Sequence, residues 1–380
     1  MSVLKNYQQC TISVMDNIAD PDITFDEKGI CNYYHEFKKA EKESVFKGEE
    51  GKKLLNEIVD KIKTAGKDKQ YDCIMGLSGG VDSTYVALLA KQYGLRPLAV
   101  HFDNGWNSEL AVMNIENIIS KLGFDLYTLV VDWEEFKDIQ LSYLKASVID
   151  IEVATDHAIS GAIGRLCKKH RIKYSLTGSN IVTEFVMPPS WIFNKGDHIN
   201  LKAIHKAFGK RQLKTYPFYN TYIKKYLHNI LKTEPVALLN YVPYNYKEIK
   251  NLITKEVGWK DYGGKHFESV FTKFYQAYIL PTKFNVDKRK PHLSTLIFSG
   301  QVTKDEAIQE LSKPLYNEQS FKKDYEFILK KLDLKHNEFQ EIMHFPVRRH
   351  TDFATETSMY KRYPVLNIIK PLIMLIKRKD

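Results

Sequence analysis

From Tyr71 onward short apolar runs alternate with helix-length segments, and that rhythm restricts the fold more than any other property of the 380 residues. "DCIMGL" leads into a helical pattern running to about Tyr93, "RPLAVHF" reads as a strand, "SELAVMNIENIISKLG" as a helix and "DLYTLVV" as a strand. A helix pair through "TDHAISGAIGRLCKKHRI" then precedes the strand "KYSLTG". Alternation of this kind requires each helix to carry the chain back alongside the previous strand, which gives a parallel sheet with right-handed crossovers and helices on both faces. The expected fold class is α/β, a doubly wound parallel sheet. Ligands of such sheets bind beyond the carboxyl ends of the strands. Three of the four strands end there in "SGGVDS", "DNGW" and "TGSN".

Ahead of this unit, turn signals such as "ADPD" and "DEKG" give way to a charged run in which Leu54, Leu55, Ile58, Val59 and Ile62 keep one helical stripe. Residues 1–65 are read as a small appendage with an amphipathic helix, 66–193 as the α/β unit and 194–380 as a basic-aromatic, mainly helical C-terminal region. Between 195 and 232, nine lysines and arginines stand against Asp197 alone, interleaved with six Phe and Tyr residues. The net charge of +10 favours polyanionic partners: nucleic acid, nucleotide sugars or an acidic subunit. Cys10, Cys31, Cys73 and Cys167 form no C-x-x-C pair, so no disulfide framework is expected. No stretch reaches the ~18 uninterrupted apolar residues of a spanning helix, and the N-terminus lacks a signal-peptide core, so a cytoplasmic location is expected. The apolar tail "YPVLNIIKPLIMLIKRKD" is broken by Lys370 and Pro371 and reads as a docking helix.

"GLSGGVDS", Gly76 to Ser83, has the composition of an anion trap. Gly79 and Gly80 let phosphate oxygens approach backbone N–H groups, Val81 opens the following helix with its dipole, and Ser78 and Ser83 add hydroxyl donors. Asp82 fits beside phosphates if a Mg²⁺ bridges the two. Neither the Walker pattern nor the G-x-G-x-x-G fingerprint is present.

"SGGVDS" between strand and helix resembles the PP-loop signature of the ATP pyrophosphatase superfamily, which cleaves ATP to AMP and pyrophosphate while adenylating a carbonyl oxygen. That implies an adenine nucleotide alpha hydrolase-like fold with ATP and Mg²⁺ as cofactors. More widely, "DPDITFDEKGICNYY", "TDHAI", "TGSN", "GWKDYGGKHFESVFTKFYQAYILPTKF" and "DKRKPHLSTLIFSGQ" resemble the N-acetyl sugar amidotransferase family of surface-polysaccharide (lipopolysaccharide O-antigen) biosynthesis, from about residue 10 to about residue 310. The resemblance implies conversion of an acetamido group on a nucleotide sugar or lipid-linked sugar to an acetamidino group. Ammonia would come from a glutaminase and a cyclase-like partner similar to the paired subunits of histidine biosynthesis.

On this reading Asp82, Lys265, His266 and Arg289 are the candidate catalytic residues, the three cations facing pyrophosphate or the sugar nucleotide. Asp103, Gly178 and Asn180 lie past strand ends, where adenosine or substrate would bind. Asp103 and Asn180 serve equally well as an Asx-turn or helix cap. Asp156 reads as a helix N-cap beside His157, and Glu184 and Trp191 flank "FVMPPS" as candidate sugar-side residues.

The family carries two C-x-x-C pairs near its N-terminus, whereas this chain has "CTIS" and "CNYY", with Ser13 and Tyr34 in the second places. Cys10, Cys31 and His35 fall short of four zinc ligands, so no zinc is expected. Two rival readings use the same loop: a tRNA-thiolating enzyme, for which the basic-aromatic segment would meet RNA, and a non-catalytic nucleotide-binding subunit. Thiolating relatives depend on placed cysteine pairs that this chain lacks, so no nucleic acid partner is expected.

Overall fold

A computed structural model describes residues 6–264 and 267–357; the apolar tail lies outside the described residues. Two helices, α1 (Asn32–Ser44) and α2 (Gly48–Gly66), precede the sheet. The alternation then runs β1 (Cys73–Gly76), α3 (Val81–Gln92), β2 (Pro97–Asp103), α4 (Glu109–Leu122), β3 (Asp125–Val130), α5 (Trp133–Ala146), α6 (Val153–His170) and β4 (Tyr174–Leu176). Local chemistry sets several boundaries. Ser108 and Asp132 cap α4 and α5 by accepting the Ala111 and Glu135 N–H, and Gly123 closes α4 in the left-handed region.

The remaining elements are α7 (Ile181–Glu184), α8 (His198–Phe208), α9 (Thr221–Lys225), which continues as a π-helix over Tyr226–Leu231, β5 (Glu234–Val236) and α10 (Tyr246–Val257). After them, α11 (Val270–Phe274) passes through a π turn, Tyr275–Ile279, into α12 (Leu280–Phe284), followed by α13 (Arg289–Phe298), α14 (Lys304–Ser312), α15 (Glu318–Lys331) and α16 (His336–His344).

All strand pairings are parallel, in the order β3-β2-β1-β4-β5. The strand period decides which helix covers which face. Cys73 and Met75 of β1 face a cluster with Leu55, Val59 and Ile62 of α2, Val86 and Leu89 of α3, Ile115 and Ile118 of α4 and Ile253 of α10. Ile74 faces the other way, with Leu98 and Val100 of β2, against Leu166 and Cys167 of α6 and Ile223 and Leu227. Cys73 and Cys167 are core residues, and burial pushes both thiols up.

Two boundaries differ from the sequence reading. The sheet does not stop at residue 193: β5, drawn from the C-terminal region, pairs with β4 through Tyr174 opposite Glu234. Helix α6 begins at Val153, with Glu152 at the N-cap, because Val153 and Ala154 already belong to its buried stripe; Asp156 sits one turn inside and pairs with Lys195 at 3.1 Å.

In the appendage Cys10 and Cys31 are fully buried, and the Cys31 N–H donates to Cys10 Sγ at 3.3 Å. His35 points elsewhere, to Asp26 at 2.9 Å. Phe37 packs on Phe185 and on Phe298 at the end of α13, which fastens the appendage to the body. Among the described residues no group of three His, Cys, Asp or Glu side chains stands close enough to hold a metal, and no helix is long and apolar enough to cross a membrane.

Candidate active site

At the carboxyl end of β1 the chain turns through Leu77 to Gly80 into α3. Gly79 holds φ +79°, and a Cβ there would come within 2.7 Å of the Ala111 carbonyl oxygen, so glycine is what lets α4 lie against the loop. Hydroxyls knit the turn. Ser78 Oγ accepts the Gly80 N–H at 3.2 Å, while Ser83 Oγ and Thr84 Oγ1 donate to the Gly80 carbonyl at 3.1 and 2.6 Å. From β2, the buried His101 supports the same loop: Nδ1–H donates to Leu77 O (3.2 Å) and Nε2 accepts from Asn107 Nδ2 (3.1 Å). Desolvation lowers its pKa and keeps the ring neutral.

The first turn of α3 opens on a cavity of about 180 Å³ lined by Ser78, Gly80, Val81, Asp82 and Ser83, by Gly178 past β4, and by Glu184, Tyr246, Tyr262 and Glu268. It lies between the neighbouring ends of β1 and β4, from which the sheet order runs in opposite directions, the switch point of a doubly wound sheet. Gly178 packs tightly against α3: a Cβ there would come within 3.1 Å of Asp82 Cβ.

The far wall belongs to the C-terminal region and is bolted to the loop. Trp259 Nε1 donates to the Gly79 carbonyl at 2.8 Å, and Asn114 of α4 bonds both the N–H (2.7 Å) and the carbonyl (2.9 Å) of Lys260. Ser108 N–H to Glu268 O (2.8 Å) and Val270 N–H to Trp106 O (2.9 Å) seat the stretch carrying Glu268 on the segment after β2. The Tyr244 hydroxyl donates to Asp82 Oδ1. Desolvation, reinforced by nearby carboxylates, raises Tyr244, Tyr246 and Tyr262, so all three remain neutral phenols. Gln301 accepts the Tyr246 N–H (2.9 Å) and donates to Val182 O (3.2 Å), tying α10 to the short helix that carries Glu184.

The structure brings Ser78, Gly80, Val81, Asp82, Ser83, Gly178 and Glu184 around one cavity, with Gly79 behind it. Asp103 and Asn180 take the structural option. Asp103 Oδ1 accepts from Gly105 N–H (2.8 Å) and Asn107 Nδ2 (3.1 Å), and Asn180 caps α7 by accepting the Thr183 N–H (2.9 Å). Arg289 is displaced from the expected role: its guanidinium grips Asp287 and the carbonyls of Glu310, Leu311 and Lys313, closing the end of α14. Trp191 is a core residue, 3% exposed, donating to Ala19 O at 3.1 Å, because the proline-bearing stretch turns its ring inward. His157 is buried, with Nδ1–H on Lys195 O (2.8 Å) and Nε2 accepting from Tyr219 N–H (3.0 Å). Lys265 and His266 lie outside the described residues.

Tyr244, Tyr246, Tyr262, Glu268, Trp259 and His101 escaped the sequence reading. Glu268 stood inside a quoted stretch, three positions from Lys265, and the "YVPYNY" run was the signal for the two earlier tyrosines.

Residues 72–163 match a family described as queuosine biosynthesis protein QueC, and residues 268–367 match one described as LPS biosynthesis protein WbpG-like, C-terminal domain. A QueC-like PP-loop domain is joined here to a WbpG-like C-terminal domain. Glu268, the first residue of the WbpG-like match, is thus a wall of the PP-loop cavity. A tRNA(Ile)-lysidine synthase from Chlamydia pneumoniae is 35% identical over 80 residues, 20% of this chain and 25% of that protein, so the likeness spans about a quarter of that relative's length. Among solved structures, NMN synthetase from Francisella tularensis is similar at 15% identity over 70% of this chain and 97% of its own, with a TM-score of 0.33. The NH3-dependent NAD synthetase from Campylobacter jejuni is similar at 14% identity over 56% and 98%, with a TM-score of 0.30.

Proposed function

We propose that the chain is an ATP-dependent amidotransferase that turns the acetamido group of an N-acetyl sugar, carried on a nucleotide or a lipid, into an acetamidino group. Its PP-loop places it among ATP-utilising proteins, and the WbpG-like domain belongs to lipopolysaccharide biosynthesis. The observation that supports the reading most is that Asp82 of the loop and Glu268 of the WbpG-like domain line one cavity.

An amide oxygen is a poor leaving group, so ammonia can replace it only after it becomes a phosphate ester. The N–H groups at the start of α3, with the Ser78 and Ser83 hydroxyls, would hold the triphosphate. A Cβ on Gly80 would come within 3.1 Å of Ser78 Oγ and 3.3 Å of the Tyr262 hydroxyl, so glycine keeps this narrow face of the loop clear for a phosphate oxygen. Three carboxylates, Asp82, Glu184 and Glu268, border the same space. A triphosphate would be repelled there without a cation; since no three of these side chains converge on one point, a Mg²⁺ would take Asp82 with phosphate oxygens and keep part of its water shell. The ion would supply charge neutralisation as pyrophosphate departs. Asp82 is the residue assigned to hold it. Tyr246 and Tyr262 bound the site with neutral donors, Glu184 is assigned to the sugar, and Lys265 and His266, between Tyr262 and Glu268 in sequence, remain candidate cations for pyrophosphate. Ammonia would come from a glutaminase acting with a cyclase-like subunit.

The rival reading, a tRNA-modifying enzyme, would use the basic segment. Three of that segment's nine cations are paired internally: Lys195 with Asp150 and Asp156, Arg211 with Glu134, and Lys224 with Glu356. Incubation with ATP, Mg²⁺, ammonium chloride and a panel of UDP-N-acetyl sugars, read by mass spectrometry, tests the proposal. It expects one sugar to lose the mass difference between oxygen and NH. No change in any sugar, together with a salt-sensitive shift of tRNA on a gel, would favour the rival.

A further inference from the structure

We propose that the outer faces of α6 and of α9 with its π continuation form one surface that docks the chain on an anionic lipid bilayer. No residue lining the nucleotide cavity belongs to either helix, so docking and ligand binding can coexist whichever reaction the cavity serves.

The two helices are pressed into a single face by a missing side chain. A Cβ on Gly164 of α6 would come within 2.8 Å of Ile223 Cγ2 and 3.1 Å of Leu227 Cδ1, so glycine lets the second helix lie directly on the first. Ile223 and Leu227 are thereby buried with Leu166 and Cys167 against the sheet. One position before each, Tyr222 and Tyr226 begin a stripe that continues four residues on to Ile230. Tyr222 is 65% exposed and Ile230 68%, with Tyr226 half-buried between them.

Charge on this face has one sign. From 160 to 173 and from 221 to 232 the chain carries eight lysines and arginines and no Asp or Glu. Lys173 pairs with Glu234, and Lys224 with Glu356. The other six, Arg165, Lys168, Lys169, Arg171, Lys225 and Lys232, make no ion pair among the described residues, and all but Lys168 are exposed. Uncompensated positive charge gathered on one face attracts an anionic partner.

The side chains between the charges select a bilayer over RNA. Lys168 Nζ lies 4.6 Å from the Tyr222 ring centroid and 5.1 Å from that of Tyr226, and it donates to the Tyr222 hydroxyl at 3.1 Å. The ammonium thus covers ring faces on which a base would stack. Ile230 offers a base neither a π face nor a polar atom, yet it suits the boundary beneath lipid headgroups, where apolar side chains sink while Lys and Arg reach the phosphates. Each cation near an anionic leaflet adds a modest attraction that salt screens, so six together give a reversible attachment.

The test is sedimentation of the full chain with vesicles of phosphatidylcholine alone and of phosphatidylcholine mixed with phosphatidylglycerol, at low and at high salt. The anionic vesicles should bind about tenfold more tightly or better, and high salt should abolish the preference. Lys169→Gln combined with Lys225→Gln should weaken binding about 20-fold, at roughly fivefold per charge, and Ile230→Ser about fivefold. All three side chains are exposed, so melting temperature and Mg·ATP affinity should stay at their wild-type values. A gel shift with tRNA supplies the competing arm. Equal binding of neutral and anionic vesicles, wild-type vesicle affinity in either variant, or salt-sensitive binding of tRNA without binding of vesicles would each overturn the assignment, the last giving the surface to RNA.

Discussion

The Tyr244 hydroxyl donates a hydrogen bond to the Asp82 carboxylate, joining residues 162 positions apart in the chain. Tyr244 is 8% exposed and meets Tyr85 of α3 edge-on, with ring centroids 6.0 Å apart. The phenol thus fixes the orientation of the Asp82 carboxylate at the wall of the cavity. Tyr244→Phe should keep the fold, because the ring contact remains, and should weaken Mg·ATP binding roughly tenfold, the low end of a charged hydrogen bond at 1.5–3 kcal/mol. Calorimetric titration with Mg·ATP measures it. Unchanged affinity would show that Asp82 needs no such positioning.

Two glycines of the site should fail differently when given a methyl group. Gly79→Ala places a Cβ 2.7 Å from the Ala111 carbonyl at positive φ, so the protein should lose about 2 kcal/mol or more of stability. Gly178→Ala presses on Asp82 Cβ at 3.1 Å and should mainly cost ATP affinity. Thermal melts with and without Mg·ATP separate the two, the second variant melting normally until ligand is added and then showing little stabilisation.

Arg289 should behave as a structural residue. Its charged hydrogen bonds hold the end of α14 against Asp287, so Arg289→Ala should lower stability by about 2 kcal/mol. Mg·ATP affinity measured on the folded fraction should not change. A lost affinity at full stability would return Arg289 to the phosphate site.

Acidification should act through two buried rings and one half-buried acid. Desolvation lowers both His157 and His350 to about 4, so between about 4 and the unfolded value near 6.5 the unfolded chain holds more protons and stability falls as pH falls. Glu152, raised to about 7, works in the opposite sense over about 4.5 to 7. Urea unfolding at about pH 7.5 and about pH 5.5 should show a loss of about 1 kcal/mol in wild type and about 3 kcal/mol in Glu152→Gln, where only the histidines remain. Equal losses in the two proteins would contradict the Glu152 value.

Much of this was legible from residue patterns. Strands β1 to β4 and helices α3 to α6 follow from apolar runs whose period switches between strand and helix, and "SGGVDS" marks the site because its glycines and hydroxyls act locally. What local pattern could not reveal was the partner wall. Strand β5 is three residues long with Pro235 at an outer edge, too short and too irregular to read as a strand. Tyr244, Tyr262 and Trp259 reach the loop only through packing across more than 160 positions, which no periodicity encodes. Arg289 sat in a family-like stretch and Trp191 beside the proline-bearing "FVMPPS", yet the first closes the end of a helix and the second fills the core.

Which bond of ATP is cut distinguishes adenylation from phosphorylation. Wild-type protein with labelled ATP, Mg²⁺, ammonium and its N-acetyl sugar should yield AMP and pyrophosphate in step with amidine formation, and Asp82→Asn should yield neither. Release of ADP and orthophosphate instead would contradict it.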